Sequence, residues 1–500
     1  MNDETLIISG GTVVCEHAVL PDHDVYVRNG RIAAIRPSAH ASARTVRGGA
    51  GASTDAPSHA GEPALGANLP AQQRDLVDSA QTIIDEALSA EAAGGEALAS
   101  MPMIVDARGA YVAPGMVDVH SDYIESVASP RPSVVMDFRT SLVEADRELA
   151  AHGITTMFHS LSVYRTSVFD HKPIRNFENV IKLIDEVSRA KRAEEHNHLI
   201  RHRLHVRVEL DSVDRYDEIK RLVEAGRVDM LSFMDHTPGQ GQYSDLALFG
   251  ETLKGYRDLT NEDVAEIIEL QQKSDKLTLG QMAELARLAH AKGIAVSSHD
   301  DDSCAKLDCM ETLGVAVSEF PITLDVAESA RARGMHTLAG APNVVMGRSH
   351  SGNLSAREAV AAGAIDMLCS DYYPAALLKA VFVLHRAAKL DLAEAFALVS
   401  AHPAKAAGID DEIGSIAVGK RADLIMVREL PVSEEMSANA VPVVTDAFVG
   451  GRCIHRSRYP LFSERACESL DFAADRYAAE QAIAHDDAAQ THIENVQVAR

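Results

Sequence analysis

Positive charge, cysteine pairs and long apolar runs are all scarce in this 500-residue chain. Lysine and arginine number 48 against 73 aspartates and glutamates, a net charge of −25. That balance repels a phosphate backbone and weighs against nucleic-acid binding. An anionic small molecule would therefore have to be drawn in locally, by metal ions or a few Arg and His side chains that outweigh the global field. Cys15, Cys304, Cys309, Cys369, Cys453 and Cys467 are scattered and form no Cys-x-x-Cys pair. This argues against a cysteine zinc motif and points to a reducing cytoplasm. No run of about 18 apolar residues exists, so no transmembrane helix is expected. Met1-Asn-Asp-Glu-Thr opens acidic and lacks the apolar core of a signal peptide.

What is present is a set of short apolar strands that end in metal-ligand chemistry. Ala113-Pro-Gly-Met-Val-Asp-Val-His120-Ser-Asp122 places an imidazole and a carboxylate two apart. On a strand they leave the same face, as two ligands of a divalent ion should. His-x-Asp alone is a short pattern that chance also produces. Leu204 to Leu210 alternates strictly, with His205, Arg207 and Glu209 on the face opposite Leu204, Val206 and Val208. A solvent-exposed edge strand would alternate in the same way. In a barrel mouth, Glu209 would bridge metals and Arg207 would meet an anion. Asp235 and His236 face opposite sides, and His236 shares its parity with Ser232 and Met234, which makes it the ligand candidate. Ile294 to His299 ends in His299-Asp300-Asp301-Asp302, of which His299 and Asp300 are expected to reach the site. The acids also suit a helix N-terminus. Ala364 to Ser370 delivers Asp371 before Pro374, a general base as well as a ligand candidate. Any one of these strand ends has a bland reading; five in succession are hard to explain as core packing.

Strands alternate with helical segments over roughly residues 111–400, the size of a (β/α)8 barrel with its site at the strand C-termini. Ser355-Ala-Arg-Glu358 has capping-box spacing, with Gly363 as the stop. Leu6 to Val14 reads as a strand and Asp24 to Ile35 as a hairpin turning at Asn29-Gly30. Ile413 to Val427 and Val443 to Ile454 are also strand-like. The two chain ends are expected to meet in one small β-sandwich domain. The organisation predicted is thus a β-domain over 1–37, an Ala/Gly/Ser-rich and partly disordered insertion over 38–100, a barrel over 101–401, the returning β-domain over 402–460 and a tail over 461–500. Within the insertion, 76–99 has some helical periodicity; the tail reads as a terminal helix and a loose end. At 46% hydrophobic content the chain can bury a large core.

These motifs resemble the amidohydrolase superfamily: Val112 to His120 is similar to its first barrel strand and Gly414 to Leu424 to its returning β-domain. More narrowly, the chain resembles the PhnM-type family of the carbon–phosphorus lyase pathway. That resemblance rests on His120-Ser-Asp122-Tyr-Ile-Glu125, Arg201 to Glu209, Met234 to Gln240, Ser298 to Asp301, Gly340 to Asn353 and Ser370 to Pro374. Members hydrolyse α-D-ribose 1-methylphosphonate 5-triphosphate and release diphosphate. The resemblance implies one or two divalent ions, zinc first with manganese or iron as alternatives, on His120, Asp122, Glu209, His236, His299 and Asp371. Glu209 would take the bridging place of a modified lysine, and Asp371 would take the proton of the attacking water. It further implies a phosphorylated small molecule held by Arg207, Gln240, Asp300, Arg348, Ser349, His350, Asn353 and Tyr372, and a cytoplasmic homodimer. Two features depart from the wider pattern. The usual His-x-His opening is His-x-Asp here, and the 38–100 insertion has no counterpart. An amidohydrolase acting on a cyclic amide or N-acyl substrate is the rival reading, and a catalytically dead scaffold the other.

Overall fold

The structure, a computed structural model, describes residues 5–38, 103–131, 133–165, 173–243, 245–256, 258–348, 353–431 and 440–460. The insertion expected over 38–100 lies, apart from Ser38, outside the described residues, as does the 461–500 tail. The chain divides into units 1–455 and 456–500, and the fold described is that of the first. Among the described residues no helix is long and apolar enough to cross a membrane.

Both chain ends build one sheet. It contains β1 (Thr5–Val14), β2 (Val19–Arg28), β3 (Arg31–Pro37), β4 (Met103–Asp106) and β5 (Tyr111–Pro114) from the first half. From the second half come β14 (Leu424–Leu430), β15 (Val441–Val449) and β16 (Arg452–Arg456). The order is β16-β15-β14-β5-β1-β2-β3, with β4 also on β1. The halves join where β5 pairs antiparallel with β14, Ala113 opposite Ile425. Alternating apolar residues such as Ile8, Val25, Val112 and Leu424 give this sheet its own core. The β2–β3 hairpin turns at Asn29 (φ +51°) and Gly30 (φ +75°), the left-handed pair that a two-residue turn requires. A Cβ on Gly30 would also sit 2.8 Å from the Gly450 carbonyl oxygen, so the returning half packs directly on the turn.

Eight strands form the second sheet: β6 (Met116–Ser121), β7 (Ile154–Val163), β8 (Arg201–Glu209), β9 (Met230–Met234), β10 (Ala295–His299), β11 (Val317–Glu319), β12 (His336–Gly340) and β13 (Met367–Cys369). Each pairs with the next in chain order, in parallel. The ring closes through a parallel bridge between Ser121 and Asp371. There Asp122 N–H donates to the Asp371 carbonyl at 3.0 Å and Asp371 N–H to the His120 carbonyl at 3.1 Å. Leu204, Val206 and Val208 of β8 face the helices with Leu149, Leu183 and Ile184, which is why the alternation legible in the sequence sends His205 and Arg207 inward.

Three local expectations are corrected. The barrel begins at Met116, not at residue 101: the run toward His120 breaks at Gly115, and residues before it pair in the end sheet. A Cβ at Gly115 would lie 2.4 Å from the Thr155 side chain, so only glycine permits this crossing between sheets. Ile413 to Asp423 is not strand but turns and loop. Helix Ala356–Ala361 forms with Gly363 (φ +71°) beyond its end, yet Ser355 makes no side-chain cap bond. The capping-box bond is absent, and the first helical N–H, that of Ala356, donates to Asn343 Oδ1 at 3.1 Å.

Candidate active site

The C-terminal ends of the barrel strands open on a cavity of about 250 Å³. Its walls carry nine of the residues singled out from the sequence: His120, Asp122, Arg207, His236, His299, Asp300, Asn353, Asp371 and Tyr372. Three strands are followed within two residues by a non-glycine residue with positive φ, namely Asp300 (+53°), Phe320 (+55°) and Asp371 (+58°). The left-handed turn is costly for such residues and is retained where surrounding structure enforces it. Here the backbone N–H groups still bond to the neighbouring strand, Asp300 to the Glu319 carbonyl and Phe320 to the Leu338 carbonyl, both at 2.8 Å. The strand stays paired while its last side chain turns into the mouth.

Two groups of ligand-type atoms converge within 4.8 Å each: His236, His299 and Asp300, and His120, His205 and Glu319. In the first, Asp300 Oδ2 lies 2.9 Å from His299 Nδ1 and 3.5 Å from His236 Nε2. Yet His299 Nδ1 and Asp300 Oδ2 are buried without a hydrogen-bond partner. Buried polar atoms are rarely left so. Glu209 fixes His236 from behind, accepting from its backbone N–H and meeting its Nδ1, both at 2.7 Å. In the second group His120 Nδ1 meets Glu319 Oε2 at 3.0 Å, leaving Nε2 turned toward Arg207 Nη1 at 3.2 Å. His205 is held through Ser232 Oγ (3.0 Å) and the Val119 carbonyl (3.0 Å). The buried Glu319 Oε1 is again unpartnered. Orphaned nitrogen and carboxylate atoms at this spacing fit a divalent cation.

The electrostatics agree with that fit. Burial, then the charges of Arg207 and His299, push the His120 imidazole well below its usual range, so it presents a lone pair. Burial works the same way on His236 but is outweighed by Glu209 and Asp300, which raise it. Burial would raise Asp300, yet His299 and His236 together hold that carboxyl below its ordinary value. Asp371 behaves oppositely. Burial first, then Asp122, raise it to about 7, against the pull of Arg207. A carboxyl poised near neutrality is suited to accept a proton. Arg207 is buried, and its Nε has no partner. A guanidinium so placed is a ready anion contact.

Several predicted residues are engaged otherwise or sit elsewhere. Asp122 lies just past its strand and, with Glu125, grips Arg175 at 3.1 and 2.8 Å. Glu209 does not line the cavity but supports His236. Gln240 is off the cavity wall, its Nε2 buried without a partner. Arg348 is exposed at the end of helix Ala341–Met346, while Ser349 and His350 lie outside the described residues. Asp235 turns away to Lys276 Nζ (2.7 Å), as its parity predicts. Asp301 accepts from Ser298 and Ser318, and Asp302 from Gly241 N–H, so neither enters the mouth. Sequence reasoning missed Glu319, His205 as a partner of His120, and the Arg175 clamp. The signal for Glu319 was a short apolar run, Val315 to Ser318, ending in an acid before Pro321.

Comparisons with known proteins bear on the same region. The model of the amidohydrolase family matches residues 111–454. The α-D-ribose 1-methylphosphonate 5-triphosphate diphosphatase of Escherichia coli (strain K12) is 34% identical over 336 residues, 66% of this chain and 86% of its own. A dihydroorotase of Methanopyrus kandleri is 37% identical over 99 residues, 16% of this chain and 22% of its own. In fold, the chain is similar to an adenosine deaminase from Xanthomonas campestris with bound zinc, at a TM-score of 0.51 and 16% identity. That match covers 95% of this chain and 98% of the other. With a barrel closed at Ser121 and Asp371, cation-ready clusters at its mouth and a family match over most of its length, the chain belongs to the amidohydrolase family.

Proposed function

We propose that this protein is a metal-dependent hydrolase that cleaves α-D-ribose 1-methylphosphonate 5-triphosphate to the 5-phosphate and diphosphate, a step of phosphonate catabolism. The observation that carries the reading is Arg207, a buried guanidinium at the cavity wall beside two cation-ready clusters, in a chain 34% identical to a diphosphatase of that specificity. A triphosphate offers a buried guanidinium more charged oxygens than an uncharged cyclic amide or a single carboxylate does.

The ligands proposed are His120, Asp122, His236, His299 and Asp371, with Asp300 moved from substrate contact to ligand because it joins His236 and His299, and Glu209 moved from ligand to the support of His236. Glu319 orients His120, as carboxylates behind metal-binding imidazoles do. One or two divalent ions, zinc first, supply charge for the anhydride oxygens and acidify the attacking water. Asp371 takes the proton as the water oxygen bonds to phosphorus and the α–β anhydride bond breaks, releasing diphosphate. Arg207, Asn353 and Tyr372 hold the phosphate chain. A cytoplasmic homodimer belongs to the same proposal, and sedimentation would test its size.

The test is phosphorus NMR of the metal-loaded protein with this triphosphate, beside ATP and dihydroorotate. Diphosphate release from the ribose compound well above ATP is expected. Hydrolysis of the cyclic amide with no phosphorus product would keep the fold and replace the substrate.

A further inference from the structure

A second set of ligand-type side chains lies on the far side of the barrel wall, away from the mouth. His159 of β7 and His202 of β8 stand on the strand faces opposite Ser160 and His205, toward the helices Phe138–Ala151 and Phe177–Asn197. The first helix contributes Asp146; the second ends at His198. None of these residues takes part in the reaction proposed above.

Their geometry is unusual for a hydrogen-bonded cluster. Asp146, His198 and His202 bring one atom each within 4.8 Å of the others. His202 Nε2 lies 3.3 Å from Asp146 Oδ1 and His198 Nδ1 lies 3.5 Å from Asp146 Oδ2. Both nitrogens are buried, and neither makes a hydrogen bond. The carboxylate is already anchored, accepting from the backbone N–H of Leu199 (2.8 Å) and Ile200 (2.9 Å). His202 Nδ1 meets His159 Nε2 at 2.8 Å, and in the tautomer that keeps the shared proton on His202 the Nε2 facing Asp146 carries a lone pair. A lone pair facing a carboxylate oxygen is repulsive unless a cation lies between them. Ligand atoms about 2.1 Å from a tetrahedral ion stand about 3.4 Å apart, and each nitrogen lies near that distance from one of the two Asp146 oxygens.

We propose that Asp146, His198 and His202 form a further binding site for a divalent transition-metal ion, separate from the mouth, with His159 orienting His202. Two imidazoles and one carboxylate suit zinc, cobalt or nickel and not calcium or magnesium. The fourth position opens beside His198, whose side chain is 12% exposed. An ion there ties the two helices to β8 and is structural.

The test uses untagged full-length protein equilibrated with zinc, with free metal removed by gel filtration and zinc per chain counted by elemental analysis. His198→Ala and Asp146→Asn are each expected to hold one ion fewer than the natural sequence. An equal count in folded His198→Ala, judged by circular dichroism, overturns the proposal and leaves the cluster an ion pair. Should both variants fail to fold, anomalous diffraction at the zinc edge from zinc-soaked crystals of the natural sequence decides. A peak among Asp146, His198 and His202 is expected, and no peak there overturns the site.

Discussion

Replacing Arg175 by methionine separates the structural and metal-binding parts of the mouth. Its guanidinium donates from Nε to Glu125 at 2.8 Å and from Nη2 to Asp122 at 3.1 Å. All three side chains are largely buried, at 11%, 8% and 22% exposure. A charged hydrogen bond contributes about 1.5–3 kcal/mol, and breaking a buried pair from one side costs about 3–5 kcal/mol because the partner stays behind unpaired. Asp122 keeps some contact with water, so the loss expected in metal-free protein is at the lower end, about 3 kcal/mol. Urea unfolding at neutral pH, followed by circular dichroism, measures it. If Asp122 is a ligand, a bound cation replaces the lost charge, and the zinc-loaded variant should lose less than the metal-free one. A loss under about 1 kcal/mol, the level of a surface pair, refutes the clamp. A loss as large with zinc as without it refutes Asp122 as a ligand.

Asp371→Asn should lower turnover by about 10²–10⁴-fold, the range for a lost general base, with the unfolding midpoint unchanged or higher; near-normal rates with full metal content would remove it from that role. Glu319→Gln should lower activity about 10–100-fold through weaker metal retention, read as zinc per chain after dialysis; unchanged retention would show that His120 needs no carboxylate behind it. Burial, then the charge of Glu209, raises the Asp211 carboxyl to about 6, above its unfolded value of about 4. The folded state binds that proton more tightly, so the stabilisation is present in acid and lost as pH rises through about 6. Asp211→Asn should therefore gain urea resistance relative to the natural sequence between about pH 4 and pH 7, and an equal midpoint difference at both would contradict this.

The mouth was legible where parallel strands are long enough to show parity. Arg207 could be assigned a face because Leu204, Val206 and Val208 define the other one, and Asp235 and His236 separate by the same rule. Glu319 escaped because β11 is only three residues, too short for alternation. Arg175 escaped because it sits on a single 3-10 turn, Pro173–Arg175, whose partners come from another strand end. Arg348 was placed at the mouth by its resemblance to a phosphate loop, but a helix C-terminal residue can point to solvent without breaking any local rule. The Asp146–His198–His202 group was invisible for a related reason: its members come from two helices and a strand face that read as plain amphipathic packing. The join of the chain ends was readable in outline, since both halves alternate. The break at Gly115 was not, because it depends on the neighbouring Thr155.

The most direct test of a water-driven phosphoric anhydride cleavage in this barrel is isotopic. The zinc-loaded protein would turn over the ribose triphosphate in water enriched in oxygen-18, and mass spectrometry would read the products. The mechanism proposed for Asp371 and Arg207 predicts one labelled oxygen per cleavage, in either the 5-phosphate or the diphosphate, with labelled product formed about 10²–10⁴-fold more slowly by the Asp371→Asn protein. Products without label, or no phosphorus product beside a hydrolysed cyclic amide, would contradict it.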